Sequence, residues 1–305
     1  MPALNFFGNN VNASGPMLWI VCNALSGSDG MTIDELSSHL QPSPYIDAKP
    51  KRRETSGPTA PWAALNQSLS VGVAVGLLTS QGRRTEATFS VRIPDETVSD
   101  PDAFRRAVRR AILAGTNEDD GSVVYGDLPL ALAWLMGSRV EESFWVSHAN
   151  GPEKRLKVRG AGPVKNASQW PPFYRWAEFL GLATVSRHTR INKLGNPVVA
   201  DPRTAICDEL TEFPKKLSGV EFAKRLADAL PVVSGGAVME SFTAGGGTIE
   251  AELSDGTRFS PVVSHALLTL AESGHIAFKR KDDASNRITL AGPAGPVIVD
   301  EVTHD

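Results

Sequence analysis

The side chains that could do chemistry in this chain are six histidines, two cysteines and a pair of closely spaced carboxylates. The histidines are scattered, without an HExxH pair or a Cys/His quartet, so their spacing fits no metal site. Cys22 and Cys207 lie far apart, each in a helix-like apolar pattern, which predicts buried, reduced thiols. Glu250 and Glu252 alternate along a candidate strand, yet no lysine follows at the offset that a metal nuclease uses. Such a pair is more often the solvated face of a strand.

Phosphate and acyl chemistry leave recognisable loops, and the sequence has neither. It contains no GxxxxGK[ST] phosphate loop and no GxSxG nucleophile turn. The run Gly245–Gly247 follows no clear strand and is predicted to be a turn. We therefore predict a protein without enzymatic activity, bound metal or cofactor. Because catalytic residues need not be adjacent in sequence, an enzyme with a discontinuous site stays open as an alternative.

The length and composition are those of an ordinary globular protein, but its charge is unevenly distributed along the chain. The length of 305 residues is enough for about two domains, and 21% of the residues are charged. No apolar run has membrane-spanning length and the N-terminus lacks a basic start, so a cytoplasmic location is expected. The net charge is −3, but residues 49–113 carry eleven basic and six acidic residues, and residues 151–193 carry nine and two. These two basic blocks favour contact with an anionic partner.

The first 95 residues predict three helices and a hairpin. One helix begins near Pro16, and a second begins with a capping box formed by Thr32 and Glu35. A turn and strands end the unit near residue 94. Residues 41–60 contain four prolines and a basic cluster and are predicted to be a mobile insertion. The third helix carries an apolar stripe at helical spacing: Trp62, Leu65, Leu69, Val73 and Leu77.

The middle of the chain is predicted to be mainly helical. The pattern over Asp100–Gly115 begins with Asp-Pro and ends on Gly, both boundary signals. The segment Asp127–Gly137 is strongly apolar and predicts a buried helix. The first of these helices should turn four arginines to the outside: Arg105, Arg106, Arg109 and Arg110. A further apolar stripe comes just before Gly181: Phe173, Trp176, Ala177 and Leu180.

The stretch from Ala266 to Gly292 predicts the end of an amphipathic helix, a Gly stop, a short strand, a charged turn and a return strand. A helix that runs into a strand through Gly is a weak internal repeat, found at Leu77–Gly82, Leu180–Gly181 and Leu270–Gly274. We predict a mainly α (α+β) fold with two winged helix-turn-helix-like domains joined by a helical section. The predicted parts are 1–95, 96–165 and 166–305.

The first predicted recognition helix exposes side chains that suit DNA. Asn66 and Gln67 can each bridge the N6 and N7 edge of adenine, and Ser70 lies beside them. Basic residues around both winged-helix candidates and in the second basic block are the candidate phosphate contacts. They are Lys49, Lys51, Arg52, Arg53, Arg83, Arg84, Arg155, Lys157, Arg159, Arg187, Arg190, Lys193, Lys279, Arg280 and Lys281.

The C-terminal copy is less suited to DNA. Its helix should expose Ser264, His265, Thr269 and Glu272 but no lysine or arginine, and acidic residues offset part of the charge of its wing. A protein-binding role is favoured for this copy.

Aromatic residues are mixed with the second basic block. Aromatic side chains among lysines and arginines are typical of surfaces that stack single-stranded bases. Phe173 and Trp176 lie on the helical stripe, however, so packing in the core is the preferred interpretation. The basic residues around them are the better indicator of DNA contact.

Several stretches resemble one bacterial family. The strings FYRWAEFLGLATV, VVADPRTAICDEL, FAKRLADALPVVSGG and SHALLTLAESGHIAFKRKDDASNRITL are similar to the C-terminal half of DpdG-type proteins, and DLPLALAWLMG is similar to their middle. Those proteins belong to the Dpd system, a bacterial gene cluster that places 7-deazaguanine derivatives in DNA and restricts unmodified DNA. The resemblance implies an accessory component of a modification and restriction (antiviral defence) system that acts with other proteins. It brings no assigned catalytic residues.

The leading hypothesis is therefore a non-enzymatic accessory subunit that contacts DNA weakly, mostly at phosphates, and also binds other subunits of a defence complex. One alternative is a scaffold that binds proteins only. Another is a winged-helix transcriptional regulator, which would most simply be a symmetric dimer on palindromic half-sites. Two non-identical modules in one chain favour an asymmetric role instead.

Overall fold

A computed structural model of the chain describes residues 4–40, 63–82, 86–118, 121–140, 143–144, 164, 168–185, 198–247, 257–281 and 286–304. Helices and strands are both abundant, so the fold is a mixture of helix and sheet, as predicted. Within these ranges no helix is long and apolar enough to cross a membrane. The predicted insertion at 41–60 lies outside them.

The N-terminal part combines three helices with a three-stranded antiparallel sheet. Its elements are α1 (Gly15–Leu25), β1 (Met31–Thr32), α2 (Ile33–Leu40), α3 (Ala63–Ala74), β2 (Leu78–Gln81) and β3 (Thr88–Val91). The sheet order is β1-β3-β2, so the strand that comes last in the chain is central. The predicted capping box is present, since Thr32 N donates to Glu35 Oε2 at 2.7 Å and Glu35 N donates to Thr32 Oγ1 at 3.3 Å. The predicted hairpin is β2 with β3.

The middle of the chain is mainly helical but also contains strands. Its elements are α4 (Asp95–Ser99), α5 (Pro101–Leu113), β4 (Thr116–Asn117), β5 (Val123–Val124), α6 (Asp127–Met136), β6 (Ser143–Phe144), α7 (Trp170–Phe179), β7 (Ala183–Val185) and β8 (Val198–Ala200). Strands β4 and β5 pair with each other, and the other three form a sheet of order β6-β8-β7. Helix α6 is buried along most of its length, as its apolar sequence predicts.

The C-terminal part repeats the arrangement of the first. Its elements are α8 (Arg203–Leu210), β9 (Lys216–Ser218), α9 (Gly219–Ala229), α10 (Ala237–Ala244), α11 (Pro261–Glu272), β10 (Ile276–Lys279), β11 (Ile288–Gly292), β12 (Gly295–Val299) and β13 (Glu301–His304). The sheet order is β10-β13-β9, again with the last strand in the centre. Strand β9, which precedes the second helix of this part, and strand β10, which follows its last helix, flank the central strand β13, just as β1 and β2 flank β3.

The pairing predicted for the hairpin after Gly274 is wrong. Residues 288–292 do form a strand, but β11 pairs with β12, and β10 pairs with β13. Only Pro293 and Ala294 separate β11 from β12, so the cost in chain entropy of bringing these strands together is small. The partner of β10 therefore comes from beyond the predicted return strand, which ends at Gly292.

The repeated passage from helix to strand has one geometry in all three places. Gly76, Gly181 and Gly274 have φ of 76°, 72° and 81°, and each is followed two residues later by the first residue of a strand. In each case the next residue donates its N–H five residues back, at 2.9, 2.9 and 3.0 Å. This is the Schellman ending of a helix, which needs a left-handed residue and therefore favours glycine. In the first copy the equivalent glycine is Gly76, not the predicted Gly82.

The predicted apolar stripes form the core, which is continuous across the three parts. Phe173, Trp176 and Leu180 are fully buried, which supports packing over base stacking as the use of these aromatic side chains. Val73 is the exception on the stripe of α3, because 36% of its surface is exposed. Trp62 lies outside the described residues.

Of the four arginines of α5 that were predicted to face outward, Arg110 is exposed, Arg105 and Arg106 are partly accessible, and Arg109 is buried. Arg109 is fully buried, and it donates to Glu209 at 2.6 Å, to Asp208 at 2.9 Å and to the carbonyl of Leu180 at 3.0 Å. The remaining three are paired with acidic residues of α8 and the turn after it: Arg105 with Asp208, Arg106 and Arg110 with Glu212, and Arg110 also with Glu209. Because the acids come from a helix about a hundred residues later in the chain, the periodicity of α5 alone could not reveal them.

Candidate nucleic-acid interface

Six of the predicted DNA-binding residues lie in the described part of the chain. Three are on α3 and three follow α11: Asn66, Gln67, Ser70, Lys279, Arg280 and Lys281. The other twelve lie outside it: Lys49, Lys51, Arg52, Arg53, Arg83, Arg84, Arg155, Lys157, Arg159, Arg187, Arg190 and Lys193. By sequence position, Arg83 and Arg84 fall between β2 and β3, and the residues from Arg187 to Lys193 fall between β7 and β8.

Helix α3 presents a polar but uncharged surface. Asn66 and Ser70 are exposed, whereas Gln67 is half-buried, and its Oε1 accepts the backbone N–H of Asn12 at 2.6 Å. A side chain that already holds the backbone is not free to read a base edge. The helix AALNQSLSVGVA contains no lysine or arginine. Any attraction of α3 to DNA must therefore come from hydrogen bonding and not from charge.

The equivalent helices of the other two parts are still less suited to a DNA groove. Helix α7 lies beneath the N-terminal segment, since the rings of Phe6 and Trp176 meet edge to face at 5.4 Å. Its single basic residue, Arg175, donates to the carbonyl of Val11 at 2.6 Å.

Helix α11 exposes His265 and Glu272 and has no basic residue. The prediction that it exposes Ser264 is wrong: this serine is buried, and its Oγ accepts the N–H of Ala291, because β11 packs against α11. Thr269, also expected to be exposed, is only partly accessible.

Positive charge in the described residues gathers instead on the outer face of the C-terminal sheet. Three lysine ammonium groups converge on the carboxylate of Glu301, from Lys281 at 2.6 Å, Lys216 at 3.1 Å and Lys279 at 3.7 Å. The carboxylate side chain is 4% exposed, whereas the lysine side chains are 56%, 66% and 60% exposed. We call these four residues the lysine cluster. Arg280 is exposed beside it.

The register of the strands explains how the lysine cluster forms. Glu301 stands on the central strand β13, opposite Lys279 of β10 and Ser218 of β9, and Lys216 lies two residues before Ser218. Successive side chains of a strand point to opposite faces. Val302 and Leu217 therefore turn into the core while Glu301 and Lys216 face outward. The backbone N–H of Lys281 donates to the buried Asp300 at 2.8 Å, which fixes the chain just after β10.

Sequence reasoning found two of the three lysines and missed the other two members of the cluster. Lys216 belongs to a three-residue strand far from the predicted wing, and Glu301 lies beyond the predicted return strand, which ends at Gly292. The only local signal was the alternation of polar and apolar residues around each position.

The lysines hold the pKa of Glu301 far below its ordinary value. Hydrogen bonds from Lys281 and then Lys216 lower this pKa from 4.5 to about 2. A carboxyl group whose pKa is lower in the folded state adds stability above its unfolded pKa and loses it as the pH falls towards the folded pKa. The contribution of Glu301 should therefore be complete above pH 4.5 and disappear between pH 4.5 and about 2.

This pH dependence can be measured by comparing thermal unfolding of the wild type and Glu301→Gln across acid pH. The difference in melting temperature should be constant near neutrality and shrink as the pH falls below 4.5. Glu272→Gln, which changes an exposed carboxylate outside the cluster, serves as the control. A difference between wild type and Glu301→Gln that stays constant through the acid range would contradict the lowered pKa.

The remaining chemical candidates do not form a second site in the described ranges. No group of three or more His, Cys, Asp or Glu side chains that could hold a metal ion occurs within them. Burial raises the pKa of the Cys22 thiol to about 12, so this thiol is unreactive at neutral pH. Cys207 is half-buried, and neither cysteine forms a disulfide. Glu250 and Glu252 lie outside the described residues, whereas Gly245–Gly247 forms the predicted turn at the end of α10.

Comparison with known proteins gives one match. A protein-family model described as DpdG-like matches residues 8–284. No curated protein and no solved structure matches the chain.

Proposed function

The chain belongs to the DpdG-like family, and from that premise we propose that it is a non-enzymatic accessory subunit of the Dpd modification and restriction system. In this role it holds duplex DNA by the phosphates and also binds the proteins that carry out the chemistry. The observation that carries the proposed DNA contact is the lysine cluster, where three exposed cations surround one buried carboxylate on an open sheet face.

The topology supports an interpretation of the N- and C-terminal parts as winged-helix domains. In each, a first helix, a strand and further helices follow one another, then two strands in the N-terminal part and four in the C-terminal part, and the last strand is central in the three-stranded sheet. A winged helix-turn-helix domain has this order of elements, with α3 and α11 in the place of the recognition helix. In the middle of the chain β7 follows the same Schellman ending, and the last strand β8 is central in the sheet β6-β8-β7, which suggests a third, partial copy.

The distribution of charge favours contact with phosphates over reading of bases. In a helix-turn-helix protein the recognition helix enters the major groove, whereas lysine and arginine contacts to phosphates set affinity and register. Helices α3 and α11 contain no lysine or arginine. By sequence position, basic residues lie at the end of the first strand after each of these helices or just beyond it, at Arg83 and Arg84 and at Lys279–Lys281. This is the position of a wing.

We expect weak, salt-dependent binding with little sequence preference. If about four phosphates are neutralised, log K falls with log salt at a slope near −3.6, and Kd lies at about 10⁻⁴ to 10⁻⁶ M at physiological salt. Fluorescence anisotropy of two unrelated short duplexes, titrated with the full chain over a series of salt concentrations, measures both quantities. Replacing Arg83 and Arg84 by alanine should reduce the slope by about one unit for each lost contact.

Two outcomes decide between this proposal and its alternatives. Asn66→Ala should leave the affinity for both duplexes nearly unchanged, and a selective loss for one duplex would favour base reading and hence a transcriptional regulator. Absence of binding even at low salt would favour the scaffold that binds proteins only.

The same preparation incubated with plasmid DNA, Mg²⁺ and ATP should leave both DNA and nucleotide intact, because the sequence contains no recognisable phosphate loop.

A further inference from the structure

The lysine cluster has more positive charge than its carboxylate can neutralise. Three ammonium groups lie within 3.7 Å of one carboxylate group, which leaves an excess of two positive charges on a small area of the sheet. A carboxylate needs only one cation to be balanced. The second and third lysines are therefore not explained by the neutralisation of Glu301.

The lysines also retain hydrogen-bonding capacity towards solvent. Each ammonium group has three N–H donors, and the side chains of Lys216, Lys279 and Lys281 are more than half exposed. Glu301 lies beneath them, almost without contact with water. A phosphate approaching the sheet would thus meet the ammonium groups first and could accept their free N–H donors. Phosphate and carboxylate oxygens form the same kind of short, charge-assisted hydrogen bond with an ammonium group.

We propose that the lysine cluster is a phosphate-binding site for the DNA backbone in which Glu301 limits the affinity. Lys216, Lys279 and Lys281 bind the phosphate, and Glu301 gathers the lysines but repels the incoming anion and competes for the same donors. This inference rests on the proposed function and adds to it the three lysines as one binding site for a phosphate and Glu301 as a residue that weakens binding. Substitutions of the lysines and of Glu301 must then have opposite effects on DNA affinity.

The lysine half of the proposal is tested with Lys216→Ala. Losing one phosphate contact should weaken duplex binding and reduce the magnitude of the salt slope by about 0.9. Lys224→Ala is the matched control, because Lys224 is an exposed lysine of the same part, on α9, outside the cluster. Its affinity and slope should equal those of the wild type. Equal behaviour of Lys216→Ala and Lys224→Ala would overturn the site.

The second half is tested with Glu301→Gln, which keeps the size of the side chain and removes its charge. Duplex affinity at low salt should rise by about threefold to tenfold, the size expected when one like charge a few ångström away is removed in water. Glu272→Gln removes the same charge from an exposed position at the end of α11 and should change affinity less than twofold. A purely structural role for Glu301 predicts the reverse, because damage to the sheet would weaken binding.

The outcomes separate this inference from the proposed function. If the wild type binds DNA but Lys216→Ala has unchanged affinity, the site is overturned. Unchanged or weaker affinity in Glu301→Gln overturns it as well. In both cases the DNA contact lies elsewhere on the chain. Absence of wild-type binding overturns both. Circular dichroism of each variant shows that it is folded. If Glu301→Gln does not fold, the double variant Lys216→Ala, Lys279→Ala replaces it, with an expected reduction of the slope by about 1.8.

Discussion

Replacing Glu209 by alanine should lower the free energy of unfolding by about 3–5 kcal/mol, because it leaves a buried guanidinium without its closest counter-ion. Arg109 and Glu209 are both fully buried, and their side chains meet at 2.6 Å. Without Glu209 the buried guanidinium keeps only one carboxylate partner, Asp208 at 2.9 Å, so much of its desolvation cost is no longer offset. A loss of this size is a large part of the 5–15 kcal/mol that stabilises an average domain. Urea denaturation followed by circular dichroism measures it.

The control is Glu212→Ala, which removes an exposed carboxylate that also pairs with arginines of α5. Glu212 pairs with Arg110 at 2.7 Å, but the two side chains are 48% and 42% exposed. An exposed pair contributes only about 0–1 kcal/mol, because water screens it. If Glu209→Ala and Glu212→Ala lower the free energy of unfolding by similar amounts, burial does not determine how much the ion pairs between these acids and the arginines of α5 contribute to stability.

Replacing Trp176 by alanine should destabilise the protein by about 3–5 kcal/mol, the usual cost of removing a large buried aromatic side chain. The indole is fully buried and packs edge to face on Phe6 at 5.4 Å and on Phe179 at 5.9 Å. Phe179 in turn lies against Gly15 at the start of α1. The cavity therefore opens where α1, α7 and the N-terminal segment meet, and it should loosen that segment.

Hydrogen exchange distinguishes this local effect from a uniform loss of stability. The amides of Phe6 and Phe7 donate to the carboxylate of Asp127 at 2.9 Å each. In Trp176→Ala they should lose more protection than amides of the distant sheet β10-β13-β9. Tyr174→Phe, on a partly accessible side of the same helix, should change stability by less than about 0.5 kcal/mol. Equal loss of protection in both regions would show that Trp176 does not anchor the N-terminal segment.

The sequence alone determined the local structure well. The apolar stripe of α7 predicted which face of that helix is buried, the apolar sequence of α6 predicted a buried helix, and the capping box at Thr32 predicted the start of α2. These features depend on residues a few positions apart, so the period of the helix and the chemistry of its first turn are enough to reveal them. The same holds for Gly181 and Gly274, since a Schellman ending involves neighbouring residues only, whereas in the first copy the glycine is Gly76 and not the predicted Gly82. The family, too, was identified from stretches of this kind.

Only the tertiary structure decided which charged residues, distant from each other in the chain, come into contact. Arg105 and Arg109 of α5 have the spacing of a solvated face, yet acids from α8 pair with them and little or nothing of their side chains meets solvent. Lys216 and Glu301 meet because β9 and β13 are neighbours in a sheet, and Gln67 is held by Asn12 because α3 packs beside α1. The charge of a side chain can be read from the sequence. Whether that charge is free to meet DNA depends on which opposite charge the fold brings within a few ångström, where the Coulomb interaction is strong.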